Sequence, residues 1–465
     1  MAGVFPAMVL AALRRTPSRM AFEVGSRSVS YGELLAMVRR LTAGMQRAGL
    51  GPGMGVGMVL APSPEAYAAH LAAHGLGCVV APIRPGWGAQ QRADVLDRLD
   101  FVVADQPVDR EALVLEEALG SADSGDLPEL AQPDEIARLT YTSGSTGRPK
   151  SCAHTYRAVG LAYRSDQWAP TLARLLTHFE RCLIRESFAS PVMFTYLGRC
   201  LVVGGTAVLP AERAMEDVIE RCRVTATLMP PARLQQVLET NADLRSLQAV
   251  VLGGSPASPN LLRAATDRLG PIVWQGYGQG EAGVIAMLTP DDIVAGHEAS
   301  VGRPLPTVRV AIRGGEIYVR SPHQMIGYWN DPEQTREVLS DGWIRTRDLG
   351  YVDEQGYLHL TGRTRDVIMV NAEVCYAGAI ERVLAGHPAV AQAYVVGTPD
   401  PETGEAIHAF VVPIGDEPPD LEELTGLVHR RLSHNSVPKS ITVTRDVPLS
   451  ASGKPDKNAL IAGIR

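Results

Sequence analysis

The run Thr140-Tyr141-Thr142-Ser143-Gly144-Ser145-Thr146-Gly147-Arg148-Pro149-Lys150 carries the densest chemistry in the chain. Thr142, Ser143, Ser145 and Thr146 supply short hydroxyls, and Gly144 and Gly147 free the backbone to turn its amides toward one point. Lys150 ends the run with a positive charge. Amide N–H groups, hydroxyls and a lysine converging in one turn make a cradle for a polyphosphate. It is not a Walker A loop, which has a longer spacer before its Gly-Lys pair and a helix starting at the lysine. Pro149 stands directly before Lys150, and proline disfavours the helical region for the residue ahead of it.

Three further stretches could bring groups to the same ligand. Gly253-Gly254-Ser255-Pro256 is a turn whose bare backbone can approach a flat molecule. Gly278 to Gly283 satisfies GxGxxG, but a dinucleotide site needs a βαβ unit and an acidic residue about twenty positions on. Met287-Leu288-Thr289-Pro290 and a proline-rich turn follow instead, so that reading fails on context. Lys454 closes a Gly/Ser turn, Pro448-Leu449-Ser450-Ala451-Ser452-Gly453-Lys454.

These loops need a scaffold. The first run follows a loop-like Ala131-Gln132-Pro133-Asp134 and an apolar Ile136 to Leu139, so it leaves a strand. Ser30 is placed to cap a helix with Glu33 at its third position, and Leu34, Leu35, Val38, Leu41 and Met45 fall on one face. Buried strands are expected over 56–60, 78–83, 202–209, 226–229 and 249–252, with helices over 64–76 and 157–176. Strands alternating with helices at this spacing predict an α/β doubly wound sheet.

A chain of 465 residues predicts about two or three packed units. A formal charge of −7 leaves no domain-wide basic excess for nucleic acid. The six cysteines show no CxxC and no metal-ligand spacing, which predicts reduced thiols and a cytoplasmic home. The apolar run Met8 to Leu13 precedes its charges, Arg14 and Arg15, and reads as an amphipathic first helix, not a signal peptide. No apolar span is long enough to cross a bilayer, so no membrane partner is expected.

Taken in order, these segments resemble the adenylate-forming superfamily: acyl- and aryl-CoA ligases, peptide-synthetase adenylation domains and luciferases. The likeness runs along nearly the whole chain. It implies a large N-terminal domain, residues 1–364, of doubly wound sheets closed by a distorted β-barrel holding the blocks Gly315 to Val319 and Gly327 to Trp329. A small mobile α+β lid, residues 365–465, would follow. The resemblance implies that Thr142, Ser143, Gly144, Ser145, Thr146, Gly147 and Lys150 hold the phosphates of ATP, with Gly253, Gly254 and Ser255 on the adenine side. Tyr277, beside Gly278, would stack on adenine, and Glu281 with Thr142 would hold Mg²⁺. Asp348, fifteen positions before Arg363, would take the ribose hydroxyls, as a carboxylate can accept two donors at once. Arg363 would contact ribose or phosphate, Arg365 would be the hinge pivot, and Lys454 would swing in as the catalytic lysine beside Glu281 and Thr142.

The departures are as informative. Gly280 replaces the family's threonine, and Arg347 its glycine. Ala372 stands where a glycine lets the incoming thiol arm pass, and Ala379 where a glutamate starts a helix. A methyl group at a point of close approach is a steric objection to CoA transfer. Around the expected acid pocket, Arg181 and Arg185 either pair with neighbouring acids or meet an anionic substrate.

The implied activity is ATP- and Mg²⁺-dependent formation of an acyl-adenylate from a small carboxylic acid, an aromatic one favoured, with release of pyrophosphate. The acceptor in any second half-reaction stays open between CoA, a carrier protein and an amine. Two other readings are carried: a diazotase activating nitrite toward an aryl amine, and a non-catalytic nucleotide-binding partner.

Overall fold

A computed structural model describes residues 4–464, apart from 107, 109, 124, 126, 143–149, 186, 211–213, 365, 416 and 450–454. Ser143, Gly144, Ser145, Thr146, Gly147, Arg365 and Lys454 of the expected site therefore lie outside the described residues.

Short apolar strands with helices between them can bury both faces only by pairing in parallel under helical layers. Val79–Pro82, Ala226–Met229 and Ala249–Leu252 are buried at every position and pair in this way. Two large sheets result, one of nine strands and one of seven. The aromatic and aliphatic layer between them includes Phe22, Tyr31, Tyr67, Phe188, Phe194 and Trp274. Ser30 caps the Tyr31–Arg47 helix in a capping box with Glu33, as the spacing predicts.

Three expectations need correction. The predicted helix over 157–176 is two helices, Tyr156–Leu161 and Pro170–Leu176, with a 3-10 turn at Ser165–Gln167 between them. Pro170 cannot sit inside a helix, but it suits the first turn of a new one. The predicted strand over 202–209 shrinks to Thr206–Leu209, because the Pro191–Val202 helix extends to its edge. Gly204 then takes φ +86°, a left-handed turn out of the helix. Finally, Glu316–Arg320 lies in a five-stranded antiparallel sheet, whereas Gly327–Tyr328 leaves it and pairs with Lys150–Thr155 of the seven-stranded sheet.

Beyond residue 365 the chain forms a separate sheet of Val367–Val370, Glu373–Tyr376, Val390–Asp400, Gly404–Pro413 and Ser440–Val443. Its own core holds Ile368, Ile380, Leu384, Val395, Val411, Leu424 and Val428. Contact with the larger part runs through the start of the Pro259–Leu269 helix. Ser258 donates to the Ala391 carbonyl, and Asn260 Nδ2 lies 3.1, 2.8 and 3.1 Å from the carbonyls of Ala385, His387 and Val390. Among the described residues, no helix is long and apolar enough to cross a membrane.

Candidate active site

The strands Ile136–Thr142 and Lys150–Thr155 are antiparallel partners, and Thr142 sits directly across from Lys150. Thr142 and Lys150 are thus paired posts at the two ends of residues 143–149. Because Tyr328 pairs with Cys152 on the outer side of this hairpin, its ring lies beneath Lys150, whose Nζ is 5.1 Å from the ring centre. That distance is within range of a cation–π attraction. The Tyr328 hydroxyl donates to Glu281 Oε1 at 2.8 Å. Burial raises the Tyr328 phenol, so it remains a donor at neutral pH. Tyr328 therefore ties Lys150, expected to hold phosphate, to the carboxylate expected to hold metal.

Among the described residues no three histidine, cysteine or acidic side chains gather to bind a metal unaided. One half-buried carboxylate at Glu281 fits Mg²⁺, which takes one or two carboxylates and completes its shell with phosphate oxygens and water. Thr142 stands close by: a Cβ on Gly280 would lie 2.6 Å from its methyl carbon. The missing threonine side chain at 280 is thus matched by Thr142 filling the space it would need.

Glu281 sits in the turn of a hairpin, where Val273–Gln279 turns back antiparallel into Gly283–Leu288. Gly278 permits this, since a Cβ there would come within 2.9 Å of Val284 Cα. The same hairpin presents Tyr277 and Gln279 to Asp348. Asp348, only 3% exposed, lies across from Arg363 in the pairing of Trp343–Val352 with Leu358–Arg363. Arg363 Nε donates to Oδ1 at 2.7 Å. The Tyr277 hydroxyl and Gln279 Nε2 both donate to Oδ2 at 2.6 Å. Both lone pairs of Oδ2 are then engaged and one on Oδ1 remains, so the carboxylate as arranged has room for one more donor, not the two expected. Tyr277 holds Asp348 through its hydroxyl, a contact that the motif alone does not reveal. Burial, and after it the charge of Asp348, pushes the Tyr277 phenol up and keeps the proton on it.

The Gly253-Gly254-Ser255 turn extends from Ala249–Leu252 beside the Tyr277 strand, and a Cβ on Gly253 would be 3.9 Å from the Gly276 carbonyl. Gly254 has φ +90° and nothing within 4 Å of a would-be Cβ, so this backbone is uncovered. Arg347 takes φ +63°, a left-handed conformation that costs an L-residue about 1–2 kcal/mol. Its guanidinium pairs with Glu337 at 3.0 Å, which neutralises the extra charge expected there.

Arg181 is not available to a substrate. It makes a two-pronged pair with Glu23 and donates through Nε to the Cys222 carbonyl at 2.6 Å. Arg185 is exposed. Farther on, Asn371 and Ala372 form the two-residue turn between Val367–Val370 and Glu373–Tyr376, with φ of +52° and +62°. Both signs positive is the turn that favours Asn-Gly, so Ala372 occupies a glycine conformation with a methyl group attached.

Tyr328 and Gln279 were missed as working residues in the sequence. The only signal was their place inside glycine-flanked blocks, which says nothing of where a side chain points.

Comparison with known proteins agrees along the chain. The profile of AMP-binding enzymes matches residues 9–329, and that of the AMP-binding enzyme C-terminal domain matches 379–454. A feruloyl-CoA synthase of Amycolatopsis sp is 32% identical, over 95% of each chain. The solved amide bond synthetase McbA of Marinactinospora thermotolerans is 34% identical with a TM-score of 0.82, covering 98% of this chain and 99% of that one. The o-succinylbenzoate CoA synthetase of Bacillus subtilis, solved with an acyl-adenylate intermediate, is 28% identical with a TM-score of 0.83, over 98% of each.

Proposed function

Because the chain belongs to the family of AMP-binding enzymes, we propose that it adenylates a small carboxylic acid, an aromatic one favoured, with ATP and Mg²⁺. It is an ATP-dependent, AMP-forming ligase. The observation that carries the reading is the pairing of two anchored carboxylates: Asp348, held by Tyr277, Gln279 and Arg363, and Glu281, held by Tyr328 beside Lys150.

The substrate carboxylate oxygen attacks the α-phosphorus of ATP. A new O–P bond forms as the bond from the α-phosphorus to the bridging oxygen breaks, and that oxygen leaves on pyrophosphate. Asp348 and Arg363 orient the ribose, Tyr277 and the Gly253-Gly254-Ser255 turn flank the base, and Thr142 to Gly147 with Lys150 hold the departing phosphates. Mg²⁺, when bound, would be held by Glu281 with the Thr142 hydroxyl and would offset negative charge on the phosphates. Lys454 meets the oxyanion and the α-phosphate, carried by a lid of residues 365–465 that turns about Arg365. Positioning and charge neutralisation do most of the work in such a displacement.

A second reading concerns the acceptor. The methyl of Ala372, on a backbone with φ +62°, favours an amine over a thiol arm such as that of CoA.

Pyrophosphate release from MgATP tests both. Aromatic and aliphatic acids, and nitrite with aryl amines, are each run with and without CoA. Release with an aryl acid is expected, and Lys454→Ala should lower it by about 10²–10³. Release only with nitrite would move the enzyme to diazo chemistry, and no release with any of them would make it a binding protein.

A further inference from the structure

Arg138 lies on the Ile136–Thr142 strand, on the same side as Thr140 and Thr142 by the two-residue period. It is 3% exposed and points into the layer between the large sheets, where its guanidinium carbon sits 4.3 Å from the centre of the Phe194 ring. Nη2 donates to the Phe188 carbonyl at 2.6 Å, but Nε and Nη1 have no partner. The fully buried Tyr67 packs against the same ring, 5.4 Å between centres, and its hydroxyl is also without a partner. Gly198, one turn beyond Phe194, admits that hydroxyl: a Cβ there would be 2.9 Å from it.

The charge is uncompensated as well. Among the described residues no carboxylate acts on Arg138; the groups that do are the phenols of Tyr163 and Tyr67. Burial lowers Arg138 to about 10, so it remains a cation at neutral pH. His70 and His74 pack on the same Phe194 ring, and burial holds both neutral. A guanidinium without a counter-charge in such a place is costly, and one aromatic face offsets only part of that cost.

We infer that Arg138 and Tyr67 form a buried binding site for a small monovalent anion, held by Arg138 Nε and Nη1 and the Tyr67 hydroxyl. Halides and nitrite are the small monovalent anions that probe it. The site stands apart from the adenylation reading and does not depend on it.

Crystals of the full chain grown in sodium bromide would show an anomalous peak beside Arg138 Nε and Nη1, and sodium nitrite would remove it if the oxyanion competes. At constant ionic strength, bromide, chloride and nitrite should raise the melting temperature saturably over gluconate. Arg138→Met should abolish that anion-specific rise, and Tyr67→Phe should shift its midpoint about tenfold to higher concentration. Absence of a bromide peak, with only water at the site, would overturn the inference. So would an equal anion response in Arg138→Met, which would mark adventitious surface binding. Tyr67→Phe and the bromide peak decide the matter even if Arg138→Met does not fold.

Discussion

The side-chain amide of Gln279 donates to Asp348 Oδ2 at 2.6 Å and to the Thr346 carbonyl at 2.9 Å. It thereby fixes a carboxylate whose other oxygen receives Arg363. A hydrogen bond to a charged group contributes about 1.5–3 kcal/mol. Gln279→Ala should therefore raise the KM for ATP by about ten- to a hundredfold with a smaller change in kcat, since the role proposed for Asp348 is to position the nucleotide and not the reacting atoms. A role in folding alone would leave discrimination between ATP and its 2′- and 3′-deoxy analogues intact. The expected result is that this discrimination narrows.

Gly280 and Thr142 share one space, so restoring a side chain at 280 should be harmful by itself. With a Cβ 2.6 Å from the Thr142 methyl carbon, Gly280→Thr forces a shift of the kind that costs about 1–3 kcal/mol. Adenylation should fall about tenfold or more. Adding Thr142→Ser, which removes the methyl and keeps the hydroxyl, should recover most of the loss. Equal rates for the single and double variants would show that the two positions are independent.

Ala372 gives a test of the acceptor. Ala372→Gly relieves a left-handed alanine in a solvent-exposed turn, so adenylation should be unaffected. If the methyl obstructs a thiol arm, the ratio of CoA thioester to amide should rise severalfold. An unchanged ratio would place the acceptor preference elsewhere.

Acid should destabilise this protein through its buried histidines. Burial lowers His70 well below its ordinary value, His74 to about 3 and His154 to about 4. Below pH ~6.5 the unfolded chain takes up protons that these native histidines refuse, so stability is complete above that pH and falls as pH drops toward the folded values. Each contributes about 1.4 kcal/mol per pH unit across that window. Denaturant melts at pH 7.5, 6 and 5 should show the loss, and His74→Phe should flatten its slope by about that amount. An unaltered slope would exclude His74 from the effect.

Several parts of this arrangement were legible in the chain. The Ser30–Glu33 capping box, the strands Ala226–Met229 and Ala249–Leu252, and the failure of GxGxxG on context all rest on residues a few positions apart. The fifteen-residue interval from Asp348 to Arg363 proves to be one cross-strand pair. Where local signals competed the reading slipped. Pro170 divides a helix whose apolar pattern runs on, and the Pro191–Val202 helix overruns a segment that also suits a strand.

By itself the sequence determined which segments become strands, helices and turns, because periodicity, caps and glycines act over a few residues. Only the tertiary structure decided partners. It gave Arg181 to Glu23, 158 positions away, and Tyr328 to Glu281, 47 away, and it left Arg138 with no carboxylate among the described residues. Such pairings depend on which distant surfaces packing brings within about 3 Å, and no local pattern encodes that distance.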